Sequence, residues 1–417
     1  MPLRAFEIGN YRAFAEPARV ELRPLTLLFG YNNVGKSALA RVLPLIRDSV
    51  NVRHGLPFNL DSPTVRGGEF ADLRCKATGV RKIELMLKWE AVDPAYIRLS
   101  IQDLPERRQH VVESLELQFD RRSLRADWLP EDTGRVSPRR YHLVTTSGSR
   151  GALEIGWEGL RPQPSYHRDD LEVFPPLNSA ADALDSLSET LWIGAIRSAQ
   201  PRIQKFPRME PEGIEHDGEG AADVLAWDKK YGGELFSTVS KWYGDHAQAP
   251  LDVALRGDDY ALVTGMHQVS LSDTGEGLTQ VLPALVGGAL ARKRAHAGDD
   301  SYLVVEQPEL HLHPRLHAPL ARFFCDIAKE ARAPRMIVET HSENFLFGVQ
   351  IAVAKGDLAP EDVLIHWVRQ DEAGRATVTP MPFDAEGRPE GWPRGVFTEE
   401  ADLARELLEA RKARVNR

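Results

Sequence analysis

Cysteine is almost absent from this chain of 417 residues: only Cys75 and Cys325 occur, and neither sits in a C-x-x-C pair. That excludes a disulfide framework and fits a reducing cytoplasm. A long apolar run is missing too. The longest weakly polar stretch, around Leu282–Ala291, is too short to span a bilayer, and Met1–Ile8 has no apolar signal core. A soluble, cytoplasmic protein without a membrane partner is expected. Positive charge is not in excess: 52 Lys and Arg stand against 61 Asp and Glu, a net charge of −9. A surface that is basic throughout is thereby excluded, and any nucleic-acid contact needs a local patch. No internal repeat, heptad run or low-complexity tract is found, hence no long coiled-coil arm. The remainder, 42% hydrophobic and 27% charged, is ordinary globular material with enough chain for two or three domains.

One stretch organises the rest. Gly30-Tyr-Asn32-Asn33-Val-Gly35-Lys36-Ser37 matches the phosphate-loop pattern G-x-x-x-x-G-K-[ST] at every fixed position, with Ala38 next in line. Glycines let the backbone wrap a polyphosphate with its N–H groups inward, Lys36 reaches the β/γ-phosphates, and the Ser37 hydroxyl can ligate Mg²⁺. The context agrees. Leu25–Phe29 reads as a buried strand entering the loop, and Ser37–Leu43 as the helix leaving it, until Pro44 kinks or ends it. A nucleoside triphosphate with Mg²⁺ is the expected cofactor pair.

Around this loop, Arg4–Ile8 and Ala18–Leu22 read as short strands. From Asp61 to about Trp157 the signals are again β, with period-2 runs at Lys82–Trp89, Tyr96–Ile101, Ser114–Phe119 and Tyr141–Thr145. Arginines crowd between them, at Arg107, Arg108, Arg121, Arg122, Arg125, Arg139 and Arg140. Solvated hairpin tips are the bland reading, and a patch for nucleic acid or a partner is the sharper one. Glu158–Asn178 holds four prolines and reads as a linker or surface loop. Helices are expected at Ala180–Thr190, Ala221–Trp227 and Glu234–Tyr243, and strands at Leu191–Ile196, Leu251–Leu255 and Tyr260–Thr264.

A second half of a site follows. Ser301–Glu306 is an apolar strand ending in an acid, the arrangement that P-loop NTPases use to hold Mg²⁺ opposite the loop, which makes Glu306 a metal ligand together with Ser37. Just upstream, Asp273, Gly275, Gly277 and Gln280 precede an apolar helix, a second cradle of backbone N–H groups. Met336–Val338 is a further short strand, closed by Glu339-Thr-His341-Ser, and His341 there can sense a γ-phosphate. Glu309, His311 and His313 also invite a metal reading, but nothing nearby completes a ligand set at a recognised spacing.

In this order the pieces resemble the ATP-binding-cassette (ABC) ATPase heads of the chromosome-maintenance and recombination-repair class. They resemble more closely the bacterial AAA-type ATPases related to overcoming-lysogenization-defect (OLD) nucleases. Asn10-Tyr-Arg-Ala-Phe14, the loop, Asp273-x-Gly-x-Gly-x-x-Gln-x-Leu-Pro283, Val305–Pro314 and Glu339–Ser342 carry the resemblance, and Phe383–Phe397 with Gly391-Trp-Pro393 adds to it. It implies an α/β fold: an ABC-ATPase head with a split two-lobed P-loop core and a β-rich insertion. The lobes would be 1–60 and 191–397, the insertion 61–190, and a C-terminal helix would fill 398–417. It further implies head-to-tail homodimers or higher oligomers around ATP, Gly275 and Gly277 facing the partner's loop, and a separate effector, nuclease or toxin, in anti-phage defence. Only a short helix is expected after the head, at about Glu399–Arg411, so this sequence is not expected to be such a nuclease by itself; Gln307 stands where transporter-type heads carry a catalytic Glu, and would position the attacking water beside Glu306 and His341. Asp72 is the weak candidate for the residue that usually follows the first lobe's helix. Rival readings are a slowly hydrolysing ATP-locked scaffold, a transporter ATPase, and a DNA-repair clamp that lacks its coiled-coil arm.

Overall fold

Five-residue apolar runs without alternation need cover on both faces. In the computed structural model, which describes residues 2–52, 55–90, 94–130, 139–164, 173–393, 396 and 399–415, such runs form the central sheet. Its order is Leu191–Ile193, Tyr302–Glu306, Arg335–Glu339, Leu25–Phe29, Val363–Gln370, Ala376–Met381. The first five strands are parallel and the last is antiparallel. Leu25, Leu27, Phe29, Leu303, Val305, Met336 and Val338 enter one apolar core, while Leu28, Tyr302, Val304 and Ile337 enter another. The first core is closed by the helices Ala221–Tyr231, Glu234–Trp242, Glu276–Ala297, His317–Ala328 and Glu343–Ala354.

The second core is closed by the helices after the phosphate loop and by a nine-stranded antiparallel sheet. That sheet runs Arg161–Pro164, Gly148–Glu158, Arg139–Thr145, Ser123–Trp128, Gln109–Gln118, Tyr96–Leu104, Lys82–Trp89, Leu3–Gly9, Ala18–Glu21. Lys82–Trp89 alternates half-buried and buried along its whole length, as a one-sided sheet requires. The sheet crosses the expected boundary at residue 60: the two N-terminal strands and the insertion are one hydrogen-bonded unit. His366, on a strand of the central sheet, bonds through Nε2 to the backbone of Glu21 and ties the two sheets together.

Local chemistry explains where the elements differ from expectation. The helix leaving the loop is Lys36–Ala40, and a second runs Val42–Val50. Pro44 forces the break at Arg41, because its ring conflicts with the carbonyl four residues back, that of Ala40. The prolines that suggested a linker have structural places. Pro162 and Pro164 lie in the edge strand Arg161–Pro164, where among the described residues no strand pairs on the far side. Pro175 and Pro176 sit in the first turn of the helix Phe174–Asp185, which begins six residues before the expected Ala180. Residues 165–172 of that expected linker lie outside the described residues, as do Arg394, Gly395 and Phe397 of the C-terminal segment. Its Trp392 packs edge-on against Phe29 and Trp367, with ring centroids 5.9 and 5.5 Å apart. Among the described residues no helix is long and apolar enough to cross a membrane.

Candidate functional site

The parallel strands all end on one side of the sheet, and ligands of open α/β sheets bind outside those carboxyl ends. Gly30 follows the strand Leu25–Phe29 with φ 151°, so close to the neighbouring strand that a Cβ would lie 2.2 Å from the Val368 carbonyl oxygen. Only glycine fits there. The loop then closes a cavity of about 380 Å³ with Asn32, Asn33, Gly35, Lys36, Ser37 and Ala38 on one wall. The other walls are Tyr11 and Arg12, Arg41, Thr64 and Arg66, and the strand ends Gln307, Glu339 and His341. The structure thus brings together eight of the expected residues and six that sequence reasoning missed.

Electrostatically the cavity is a positive pocket around one acid. Lys36 is 3% exposed, and its Nζ donates to the carbonyl oxygens of Gly30 at 2.9 Å and Tyr31 at 2.5 Å. Burial lowers its pKa, against the pull of Glu339. Glu339 ends the strand Arg335–Glu339, and its Oε1 accepts the Ser37 hydroxyl at 2.8 Å. Burial and the neighbouring Glu306 push its pKa up. Glu306, the acid expected opposite Ser37, is engaged elsewhere: its Oε1 accepts Arg41 Nε at 2.7 Å and Trp192 Nε1 at 2.9 Å, and its Oε2 accepts Arg41 Nη2 at 2.5 Å. His341 is held at about 4 by burial first and the Lys36 charge second, so it is neutral at pH 7 and offers a ring N–H rather than a cation.

Gln307 takes a left-handed conformation, φ 44°, and its backbone N–H donates to the Glu339 carbonyl at 2.7 Å, which turns the side chain to the cavity. Glu309 is structural: its Oε1 accepts Thr340 Oγ1 at 2.7 Å and the His341 backbone N–H at 3.0 Å, fixing the segment that carries His341. His313 accepts the Arg315 backbone N–H as a turn cap, and His317 rather than either expected histidine contacts Ser342, at 2.7 Å. Among the described residues no group of three or more His, Cys, Asp or Glu is arranged around a metal site. A Mg²⁺ held by one or two carboxylates, the Ser37 hydroxyl and nucleotide phosphates needs no such group. The donor set of the cavity fits that ion.

The glycine-rich half lies apart. Ser272, Thr274, Glu276, Thr279 and Gln280 line a second cavity of about 430 Å³ with Ala195–Arg197, Ala199, Gln200, Leu310 and His311. Among the described residues it shares no wall with the first. Asp273 turns to Arg202, 2.5 Å away, and Gly275 is the open N-cap of the helix Glu276–Ala297. Gly277 is not open: a Cβ there would lie 2.4 Å from the His311 carbonyl oxygen, so its smallness serves packing within the chain. Behind the cavity, Arg197 is 6% exposed and donates to the carbonyl oxygens of Gly194, Gln280, Glu306 and Gln307 at 2.7–3.1 Å.

The other guesses resolve plainly. Asp72 closes a capping box with Glu69 and pairs with Lys76, while the same loop sends Thr64 and Arg66 to the cavity. The arginines do not form one patch. Arg107 and Arg108 precede the strand Gln109–Gln118, and Arg121 and Arg122 follow it, so the pairs sit at opposite ends about 30 Å apart. Arg125 pairs with Asp127, and Arg139 lies over Trp128.

Comparison with known proteins agrees in kind. Residues 221–346, less than a third of the chain, match the AAA ATPase domain family; the matched segment holds the glycine-rich turn, the Glu306 strand and His341. No curated protein matches. Similar solved structures include the SMC head domain from Thermotoga maritima, 10% identical over 91% of this chain and 99% of that one, with a TM-score of 0.40. Another is the Smc head domain with an extended coiled coil, bound to the C-terminal domain of ScpA, derived from Pyrococcus furiosus. It is 9% identical over 99% of both chains, with a TM-score of 0.47. The complete phosphate-loop motif, the cavity at the carboxyl ends of a parallel sheet and the family match together support a P-loop ATPase domain.

Proposed function

We propose that the chain is an ABC-type ATPase that binds and slowly hydrolyses ATP, dimerises around it, and gates a separate effector. The observation that carries the reading is the single cavity in which Lys36 and Ser37 meet Gln307, Glu339 and His341. Lys36 neutralises the β/γ-phosphates, the neutral His341 donates to the γ-phosphate, and Gln307 orients the attacking water. Ser37 with Glu306, the acid that the motif order places opposite the loop, would form the Mg²⁺ side; the ion supplies charge neutralisation of the leaving phosphates. The second cavity, which has no lining residue in common with the first among the described residues, supports head-to-tail pairing, in which Asp273, Gly275 and Gln280 of one copy close over the loop of the other. Placement in bacterial anti-phage defence, beside a nuclease or toxin, follows from the resemblance to the OLD-related ATPases.

A slowly turning, ATP-locked sensor is the second reading, favoured by Gln307: an amide orients water but takes no proton from it. Titration of Mg²⁺–ATP, followed by light scattering and phosphate release, tests both. Binding with a doubled mass and multiple slow turnovers fits the ATPase, and a single turnover fits the sensor. Absence of nucleotide binding sinks both.

A further inference from the structure

Two acids end neighbouring strands in register, Glu306 opposite Glu339. Both are buried, 1% and 2% exposed, yet their surroundings are opposite in kind. Glu306 is spent. Arg41 grips both of its oxygens, Trp192 donates to one of them, and the Arg41 guanidinium lies 5.7 Å over the Trp192 ring. The pair is electrically neutral, and a bidentate arginine is among the strongest partners a carboxylate has. A dication gains little from such a pair unless it is first broken, which would leave Arg41 without its counter-ion.

Glu339 is not spent. Its Oε1 accepts only the Ser37 hydroxyl, and its Oε2 is buried with no hydrogen-bond partner among the described residues. An ionised oxygen left so is costly unless a cation or donor completes it. The open oxygen belongs to the carboxylate that touches the hydroxyl reserved for a divalent cation by the loop motif. Glu339 also lines the loop cavity, whereas Glu306 and Glu309 are not among its walls. Hard divalent cations take such oxygens, usually one or two carboxylates alongside phosphates and water.

We propose that Glu339, with Ser37, is the protein carboxylate that holds the divalent cation of the bound nucleotide, and that Glu306 is the counter-ion locking Arg41. This rests on the nucleotide-binding reading above and changes which acid does the metal work. The apolar run ending in Glu306 is then a scaffold for Arg41, placed by the helix break at that residue.

The test is calorimetric titration of Mn²⁺ into the full chain saturated with a non-hydrolysable ATP analogue, with the Mn²⁺ electron paramagnetic resonance spectrum as a second readout. Glu339→Gln should weaken Mn²⁺ binding tenfold or more, the scale on which metal sites respond to lost partners, while the analogue still binds in EDTA. Glu306→Gln should keep Mn²⁺ affinity and spectrum near wild type while lowering Tm, because Arg41 loses its partner. Loss of Mn²⁺ affinity in Glu306→Gln equal to or greater than that in Glu339→Gln overturns the proposal, as does unchanged affinity in Glu339→Gln. Should Glu339→Gln fail to fold, Glu339→Asp takes its place: weaker binding with an altered Mn²⁺ spectrum supports the assignment, and an unchanged spectrum and affinity overturn it. Wild-type chain that binds the analogue but gives it no added hold on Mn²⁺ overturns this proposal alone. Wild-type chain that binds no analogue overturns the ATPase reading and this proposal with it.

Discussion

The two cavities differ in what their charges are free to do. Around the phosphate loop Arg12, Lys36 and Arg66 converge on one wall system with Glu339 among them, and Arg41 beside them is held by Glu306. Around the glycine-rich turn the buried cation is Arg197, and its guanidinium is consumed by four backbone carbonyls of its own chain. Burial lowers its pKa to about 10, so it stays charged at pH 7. On the proposed reading the first cavity neutralises a polyphosphate, and the second caps one that is already neutralised. On that reading, one chain carries a binding half and a lid half that face different partners.

The largest break in this comparison is Lys36→Ala. With its charge gone the loop cavity should lose ATP affinity by about a hundredfold or more, the scale of a lost charged contact, while circular dichroism shows the fold intact. Undiminished binding in a fluorescence titration would remove the binding half from the argument. Next comes Arg197→Met, which leaves carbonyl oxygens of three segments without their donor. We expect a loss of about 2–3 kcal/mol in urea unfolding, with ATP affinity nearly preserved in the folded fraction. A variant that keeps its stability but loses ATP would place Arg197 on the wrong side of the comparison.

A smaller and cleaner probe is Gly275→Asp. Gly277 cannot serve, because any side chain there collides with the His311 backbone, whereas a Cβ at Gly275 meets nothing within 4 Å and its φ of −61° suits any residue. The new carboxylate should leave ATP affinity of the single chain unchanged and weaken ATP-dependent association about tenfold, through repulsion between like charges. Light scattering that shows normal ATP-dependent dimers would count against the lid role.

How much of this was legible in the sequence follows the physics of each residue. Leu25–Phe29 and Lys82–Trp89 are read to the residue, because burial on two faces and on one face leave different periodicities. The phosphate loop is legible because its glycines and lysine serve geometry that no other residues supply. Glu339 is not. It closes an apolar run just as Glu306 does, and which of two such acids meets Ser37 depends on sheet order, a long-range fact. Arg66 and Thr64 come from an irregular loop with no period to read. The edge strand Arg161–Pro164 hides behind its own prolines, which signal a linker unless the strand is known to be at an edge. The arginine runs keep their bland reading as hairpin tips: Arg107 and Arg108 lie at the end of the sheet where Arg139 reaches Gln109, and Arg121 and Arg122 lie at the other.

The smallest effect concerns Gln307, and it sharpens the comparison rather than breaking it. The residue sits at the end of the Glu306 strand, held in a left-handed turn by its N–H on the Glu339 carbonyl, with its side chain toward the loop cavity. Arg197 from behind the other cavity donates to its carbonyl oxygen at 3.1 Å, so Gln307 is where the two halves touch. An amide at this point positions water by hydrogen bonds alone, as the glutamine of small GTPases does, and their unassisted turnover is slow. A carboxylate could also accept the proton of that water. Gln307→Glu should therefore raise kcat several-fold without tightening ATP binding. The left-handed turn should survive, because the side chains match in length and neither is branched at Cβ. The gain has a physical ceiling. A third acid beside Glu306 and Glu339 repels its own ionisation, so part of the new base stays protonated at pH 7. A kcat that stays level or falls in a normally folded variant would show that the attacking water lies elsewhere, and His341, already neutral at pH 7, would be the next group to test.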